Sequence, residues 1–216
     1  MLLLNVISNP ILAIGFLLGI VLALTIHEYS HAWAAVRAGD MTPKLAGRLT
    51  LNPLAHLDPL GTIFLLLAGF GWGKPVPINP FNLPHPQRSQ ALISLAGPLS
   101  NILMALIIAI PIRLFNFHII PDTLLTQQII SILQIVVEIN LLLAVFNLIP
   151  IPPLDGSKVL FAFTSQETQV AIEAIGPWIL FGLLFLAFLT PFNIFTSTIL
   201  PIVQYLNYLV TAFPFS

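Results

Sequence analysis

The stretch Thr25-Ile26-His27-Glu28-Tyr29-Ser30-His31-Ala32 sets two imidazoles and a carboxylate at helical spacing inside an apolar run. Residues four apart share one face of a helix, about 6 Å apart along its axis. Two imidazoles so placed can grip one Zn²⁺. Glu28, directly after the first of them, can take the proton of a water on that metal. On a soluble helix such a five-residue pattern recurs by chance. Inside hydrocarbon, three ionisable residues are costly and point to a functional site.

A catalytic zinc takes three protein ligands and keeps one position for water, so a third ligand must come from elsewhere. The ionisable residues near the apolar segments are His56, Asp58, His85, His118, Glu138 and Asp155. Asp155 fits best, because the break at Pro150, Pro152 and Pro153 and the following Gly156 put it on an unwound segment beside the membrane. Asp58 is an acceptable geometric alternative that spacing leaves open. Capped turns at Asn52-Pro53 and Asp58-Pro59 account for His56 and Asp58 as well as a functional role does. His85 and His118 read as surface loop residues. Glu138 reads as a protonated carboxyl facing the interior of a helix bundle.

The elements that must position these groups follow from composition. Of 216 residues, 57% are hydrophobic and 7% charged, with a mean hydropathy of +0.99. This predicts an all-α, polytopic membrane protein whose main partner is the lipid bilayer. A net charge of −1 argues against a nucleic-acid partner. The absence of cysteine excludes disulfides, thiol catalysis and Cys-ligated metal. The first apolar run lacks a basic flank and a cleavage site, so it is expected to stay in the mature protein. Residues 1–216 read as a single membrane-embedded domain with a core at 10–160 and C-terminal spans within 176–212.

Asn9-Pro10 supplies an N-cap and an N1 proline for the first span, and Gly39 its stop, with Arg37 in the last turn. A helix over 10–38 is about 43 Å long, more than the ~30 Å hydrocarbon layer, and places the histidines in its last third. Ala32, Ala34, Ala35 and Ala38 narrow that end for close helix packing. Residues 40–59 are polar and proline-broken. The apolar run 60–70 is too short to span and runs into Gly71-Trp72-Gly73-Lys74-Pro75-Val76-Pro77, so 60–79 reads as a re-entrant loop. Further spans are expected at about 89–112, kinked at Gly97-Pro98, then at 127–149, 176–190 and 194–212, about five in all. Asn101 is expected to hydrogen-bond across to the His-bearing helix.

Five of the seven Lys/Arg residues fall between Arg37 and Arg88, which places that region and the site toward the cytoplasm. If 60–70 does not cross, Asp155 emerges on the same side as His27 and His31; if it crosses, Asp155 lies on the opposite face.

Beyond these local readings, the chain resembles the site-2 protease family of intramembrane zinc metalloproteases, in particular its compact bacterial and plastid-type members without a PDZ domain. Five blocks carry the resemblance in the family's order: HEYSHAWAA, GRLTLNPLAHLDPLGT, GWGKPVPINP, SLAGPLSN and FNLIPIPPLDG. It implies His27, His31 and Asp155 as ligands of one Zn²⁺ and Glu28 as general base. It also implies Asn147 as a polar group near the metal, able to donate to a tetrahedral oxyanion. The segment 71–80 resembles one that forms a strand-like loop near the substrate in relatives. The implied activity is hydrolysis of peptide bonds in transmembrane protein substrates, in a bacterial plasma membrane or a plastid membrane. A transporter or metal-responsive regulator with the same ligands needs polar residues spread over several spans, whereas here they gather toward one side. A dead scaffold has no use for Glu28.

Overall fold

In the computed structural model, residues 9–68, 71–189 and 195–212 are described. Their regular structure is helical, apart from one isolated antiparallel bridge between Leu57 and Gly73. Helix α1 (Pro10–Arg37) starts where its cap predicts: the Asn9 side chain accepts from the N–H groups of Ile11 and Leu12. It ends at Gly39, whose φ of +109° is the left-handed region that glycine enters without a Cβ clash. A short helix α2 (Thr42–Leu45) and a 3₁₀ turn (Pro53–Ala55) lead to α3 (Pro59–Ala68).

Helix α3 is ten residues long, about 15 Å, half of what spanning requires. The Lys74 N–H donates to the His56 carbonyl at 2.8 Å, next to the Leu57–Gly73 bridge. The chain therefore comes back to where it left. This is the re-entrant geometry; residues 69 and 70 within it lie outside the described residues.

A second 3₁₀ turn (Pro80–Asn82) precedes α4 (Pro86–Asn116), which runs on through Pro98 and Pro111. Helix α5 (Leu124–Asn147) opens with a capping box between Thr123 and Thr126. After the proline-rich break comes α6 (Asp155–Phe161), so Asp155 does not sit on an unwound segment as expected. It is the first residue of a helix. Helix α7 (Gln166–Leu189) begins ten residues before the expected 176, because Ser165 caps it through the Thr168 N–H and its polar first turns continue as helix.

Four helices, α1, α4, α5 and α7, are long and apolar enough among the described residues to cross a membrane. The expected fifth span contains a five-residue π-helical turn (Phe195–Ile199) and the twelve-residue α8 (Leu200–Thr211); residues 190–194 before it lie outside the described residues. Helices α1, α4 and α5 pack against one another in a three-helix core, α6 lies on α4, and α8 covers the far end of α4 and α5. There Ala105, Ile112, Ile130, Val137, Leu141, Ile199 and Val203 form an apolar cluster. Arg113 closes that end by donating to the carbonyls of Leu209 and Val210, while the Asn116 amide donates to Thr211 O. A cation and an amide thus satisfy the last carbonyls of α8.

Candidate metal centre

The three-helix core brings His27 and His31 of α1 to face α4, and α6 brings Asp155 to both of them. The two Nε2 atoms are 3.0 Å apart, and Asp155 Oδ2 lies 3.1 Å from His27 Nε2 and 3.2 Å from His31 Nε2. Both histidines are buried, with side-chain exposures of 5% and 9% against 17% for Asp155.

Hydrogen bonds on the other ring nitrogens orient the two imidazoles. Asn140 Nδ2 donates to Val136 O at 2.8 Å, which turns its Oδ1 toward α4. Asn101 Nδ2 donates to that Oδ1 and to Ala23 O, both at 3.0 Å, which leaves Asn101 Oδ1 as acceptor for His27 Nδ1 at 2.7 Å. His31 Nδ1 donates to the Ile93 carbonyl at 2.8 Å. Both imidazoles therefore donate through Nδ1, which turns each Nε2 toward Asp155 Oδ2. That oxygen is buried and has no hydrogen-bond donor.

Lone pairs that converge in this way repel unless a cation lies between them. One proton would satisfy a single pair, whereas a metal ion satisfies all three. Tetrahedral bonds of ~2.0–2.1 Å put ligand atoms about 3.3 Å apart, so the site fits a small divalent ion after an expansion of a few tenths of an ångström. Two nitrogens and one oxygen leave a fourth position open.

Close packing makes room for the rings. A Cβ on Gly97 would stand 2.5 Å from His31 Nε2 and 2.7 Å from His27 Cε1. Only glycine lets α4 approach α1 this closely while both imidazoles face it. Ser100, one turn on, donates to Gly97 O at 2.7 Å.

The other candidate residues separate from this cluster. Glu28 is half-buried and lies beside Gly73 of the re-entrant segment, where a Cβ would be 3.5 Å from its Oε1. Asp58 is a cap: its Oδ1 accepts from the Gly61 N–H at 2.8 Å, and it is not part of the metal-ligating group. His56 is fully buried, with Nε2 donating to Thr50 O at 2.7 Å. Asn147 is the last residue of α5, and its Nδ2 donates back to Leu143 O at 3.0 Å. Asn101 crosses to α1 as its place in the sequence suggests. Asn140 joins the site through Asn101, and a lone amide in an apolar run carries the same signal in the sequence as an ionisable group.

The sequence profile of peptidase family M50 matches residues 111–190, the part that carries Asp155. The "Putative zinc metalloprotease YwhC" of Bacillus subtilis (strain 168) is 39% identical over 144 residues, 65% of this chain and 65% of that protein. The "Putative zinc metalloprotease Rip2" of Mycobacterium tuberculosis (strain ATCC 25618 / H37Rv) is 33% identical over 181 residues, 80% of this chain and 66% of that protein. The chain is thus similar to peptidase family M50 over part of its length. It spans just under two thirds of the length of these curated relatives. The "Zinc metalloprotease MJ0392" of Methanocaldococcus jannaschii is 26% identical over 165 residues, 38% of that protein. No solved structure matches this chain.

Proposed function

We propose that this chain is an intramembrane zinc endopeptidase, with His27, His31 and Asp155 as the metal ligands and Glu28 as the general base. The observation that carries this reading is the convergence of two histidine Nε2 atoms and a buried carboxylate oxygen inside a bundle of membrane-length helices. The names of the relatives supply zinc as the ion, and a donor set of two imidazole nitrogens and one carboxylate oxygen would suit it. We read the whole chain as one membrane-embedded domain in contact with lipid, with a core at 10–160, and its substrates as transmembrane proteins.

When bound, zinc lowers the pKa of a coordinated water toward ~7 and polarises a carbonyl. Glu28 takes the proton of the attacking water as its oxygen bonds to the scissile carbonyl carbon. It then passes that proton to the leaving amine as the C–N bond breaks. Asn101 and Ile93 O keep the two imidazoles in the tautomer that faces the metal. We read Asn147 as a donor to the tetrahedral oxyanion, a role for which its amide must let go of Leu143 O. Asn147→Ala is then expected to keep zinc and to lower cleavage ~10²–10³-fold. Loss of zinc or unchanged cleavage removes it from the mechanism.

The deciding experiment is cleavage of a membrane-protein substrate by the purified chain, with and without a zinc chelator, beside Glu28→Gln. Cleavage that survives either treatment sinks the reading. Orientation is testable separately, because the chain has no cysteine. Thr123→Cys should react with an impermeant thiol reagent from outside, and Lys44→Cys, Lys74→Cys and Ser165→Cys should not. Labelling of Thr123→Cys from the cytoplasmic side alone would reverse the assignment.

A further inference from the structure

Arg48 is a charged residue that the mechanism above does not use, and it is 5% exposed. A buried guanidinium costs several kcal/mol unless its donors are taken up. Among the described residues no carboxylate forms an ion pair with it. Its Nη1 donates to Pro75 O at 3.1 Å, its Nη2 donates to Lys74 O, and its Nε has no hydrogen-bond partner. Burial pulls its pKa below the ordinary value, and the nearby Glu28 charge opposes that fall.

The segment it grips explains the choice of residue. Residues 73–77 read Gly-Lys-Pro-Val-Pro, and the two prolines carry no N–H. Such a stretch is rich in acceptors and poor in donors, so a regular ladder cannot hold it. Arginine is donor-only and forked, able to take two carbonyls at once. The other restraints lie at the ends of the segment. Lys74 N–H donates to His56 O at 2.8 Å, and Asn79 N–H donates to Asp40 Oδ2 at 2.7 Å. Asp40 is fully buried; burial alone would raise its pKa, but hydrogen bonds from Thr42, Asn82 and the Asn79 N–H outweigh it and hold the carboxyl below its usual range. At its start the segment lies against α1 beside Glu28. A Cβ on Gly73 would be 3.5 Å from Glu28 Oε1 and 3.5 Å from Leu24 Cδ2.

We propose that Arg48 is a positioning residue of the peptidase site: it holds the donor-poor 73–77 segment against Glu28, so that an incoming substrate backbone meets a fixed wall there. This rests on the peptidase reading above, and its test has a readout that does not need proteolysis. Val76→Cys, half-buried in the segment, reports its mobility by the rate of thiol alkylation. Val137→Cys, buried in the core, reports global loosening.

Arg48→Gln should speed alkylation of Val76→Cys by about tenfold or more, the loss of one or two charged hydrogen bonds. Val137→Cys should stay at its original rate and zinc content should not change. In the cleavage assay KM should rise by about tenfold, with kcat falling less. Arg48→Lys keeps one donor head on the carbonyls, should give intermediate values in both assays, and carries the test alone if Arg48→Gln does not fold. Unchanged alkylation with a loss confined to kcat would overturn the proposal, showing that the charge acts on the reacting groups. Parallel labelling of Val137→Cys, or loss of zinc, would also overturn it by making Arg48 a general stabiliser. If the unmodified chain cleaves nothing while Val76→Cys still responds to Arg48→Gln, the function reading fails and the holding role of Arg48 stands.

Discussion

Helices α1, α4 and α5 and helix α7 have similar apolarity and opposite fates. Over their most apolar stretches the first three have mean hydropathies of 2.3, 2.1 and 2.4 and bury 28%, 39% and 33% of that window; α7, at 1.8, buries 6%. Apolarity does not explain this difference, because lipid tails are as apolar as leucine and give helices no hydrophobic reason to associate. Polar and small residues do. The three core helices turn Thr25, His27, His31, Ser94, Asn101 and Asn140 inward, and Ala23, Ala32, Ala35, Ala105 and Ala144 are fully buried where the backbones meet. In α7 the polar residues Gln166, Glu167, Thr168, Gln169 and Glu173 crowd the first two turns, and Glu173 pairs with Lys158 at 2.5 Å. The rest of α7 presents Ile175, Trp178, Ile179, Phe181, Phe185 and Leu186 outward. In this chain the polar site and the packing that holds the bundle are one set of contacts.

The largest effects should come from the inward polar face. His27→Ala, His31→Ala and Asp155→Ala each leave two ligands, so zinc and cleavage should vanish together. Glu28→Gln should keep zinc and stop hydrolysis, and Asp58→Ala should keep zinc because Asp58 caps α3. Zinc analysis beside the cleavage assay reads all five. A filled site in Asp155→Ala with an empty one in Asp58→Ala would reverse the choice of carboxylate.

Gly97→Ala tests the close approach of α4. The new methyl meets both imidazole rings, and overpacking of this kind costs ~1–3 kcal/mol. Zinc affinity should fall by about tenfold to a hundredfold, measured by competition with a chelator. Affinity equal to that of the unmodified chain would mean that packing and site are separable.

Asn101→Ala leaves His27 Nδ1 without its acceptor and should weaken zinc ~10–100-fold, as loss of a ligand's outer partner does. Asn140→Ala acts only through Asn101 and should weaken it less. Equal losses in the two variants would argue for general destabilisation of the three-helix core.

The smallest effect is expected on α7. Phe181→Ala removes a side chain that is 64% exposed and should leave thermal stability within about 0.5 kcal/mol of the unmodified chain. A large loss of stability would show that α7 has a packed partner, and the contrast with α1 would narrow.

Much of this arrangement is legible residue by residue. Asn9-Pro10 and Gly39 bound α1 because caps and a left-handed turn are local chemistry. The shared face of His27 and His31 follows from helical periodicity, and residues 60–79 read as re-entrant because eleven apolar residues are too few to cross. Those inferences need only neighbours in sequence. Spacing leaves Asp155 and Asp58 open as third ligands; the tertiary structure puts Asp155 beside the histidines, because α6 packs on α4, and turns Asp58 back to cap α3. The Asn140–Asn101–His27 relay and the grip of Arg48 on Lys74 and Pro75 likewise join segments that sequence alone does not bring together. Periodicity and capping act over a few residues along the chain. The satisfaction of buried donors and acceptors depends on which distant segments close around them, and that was decided only when the helices packed.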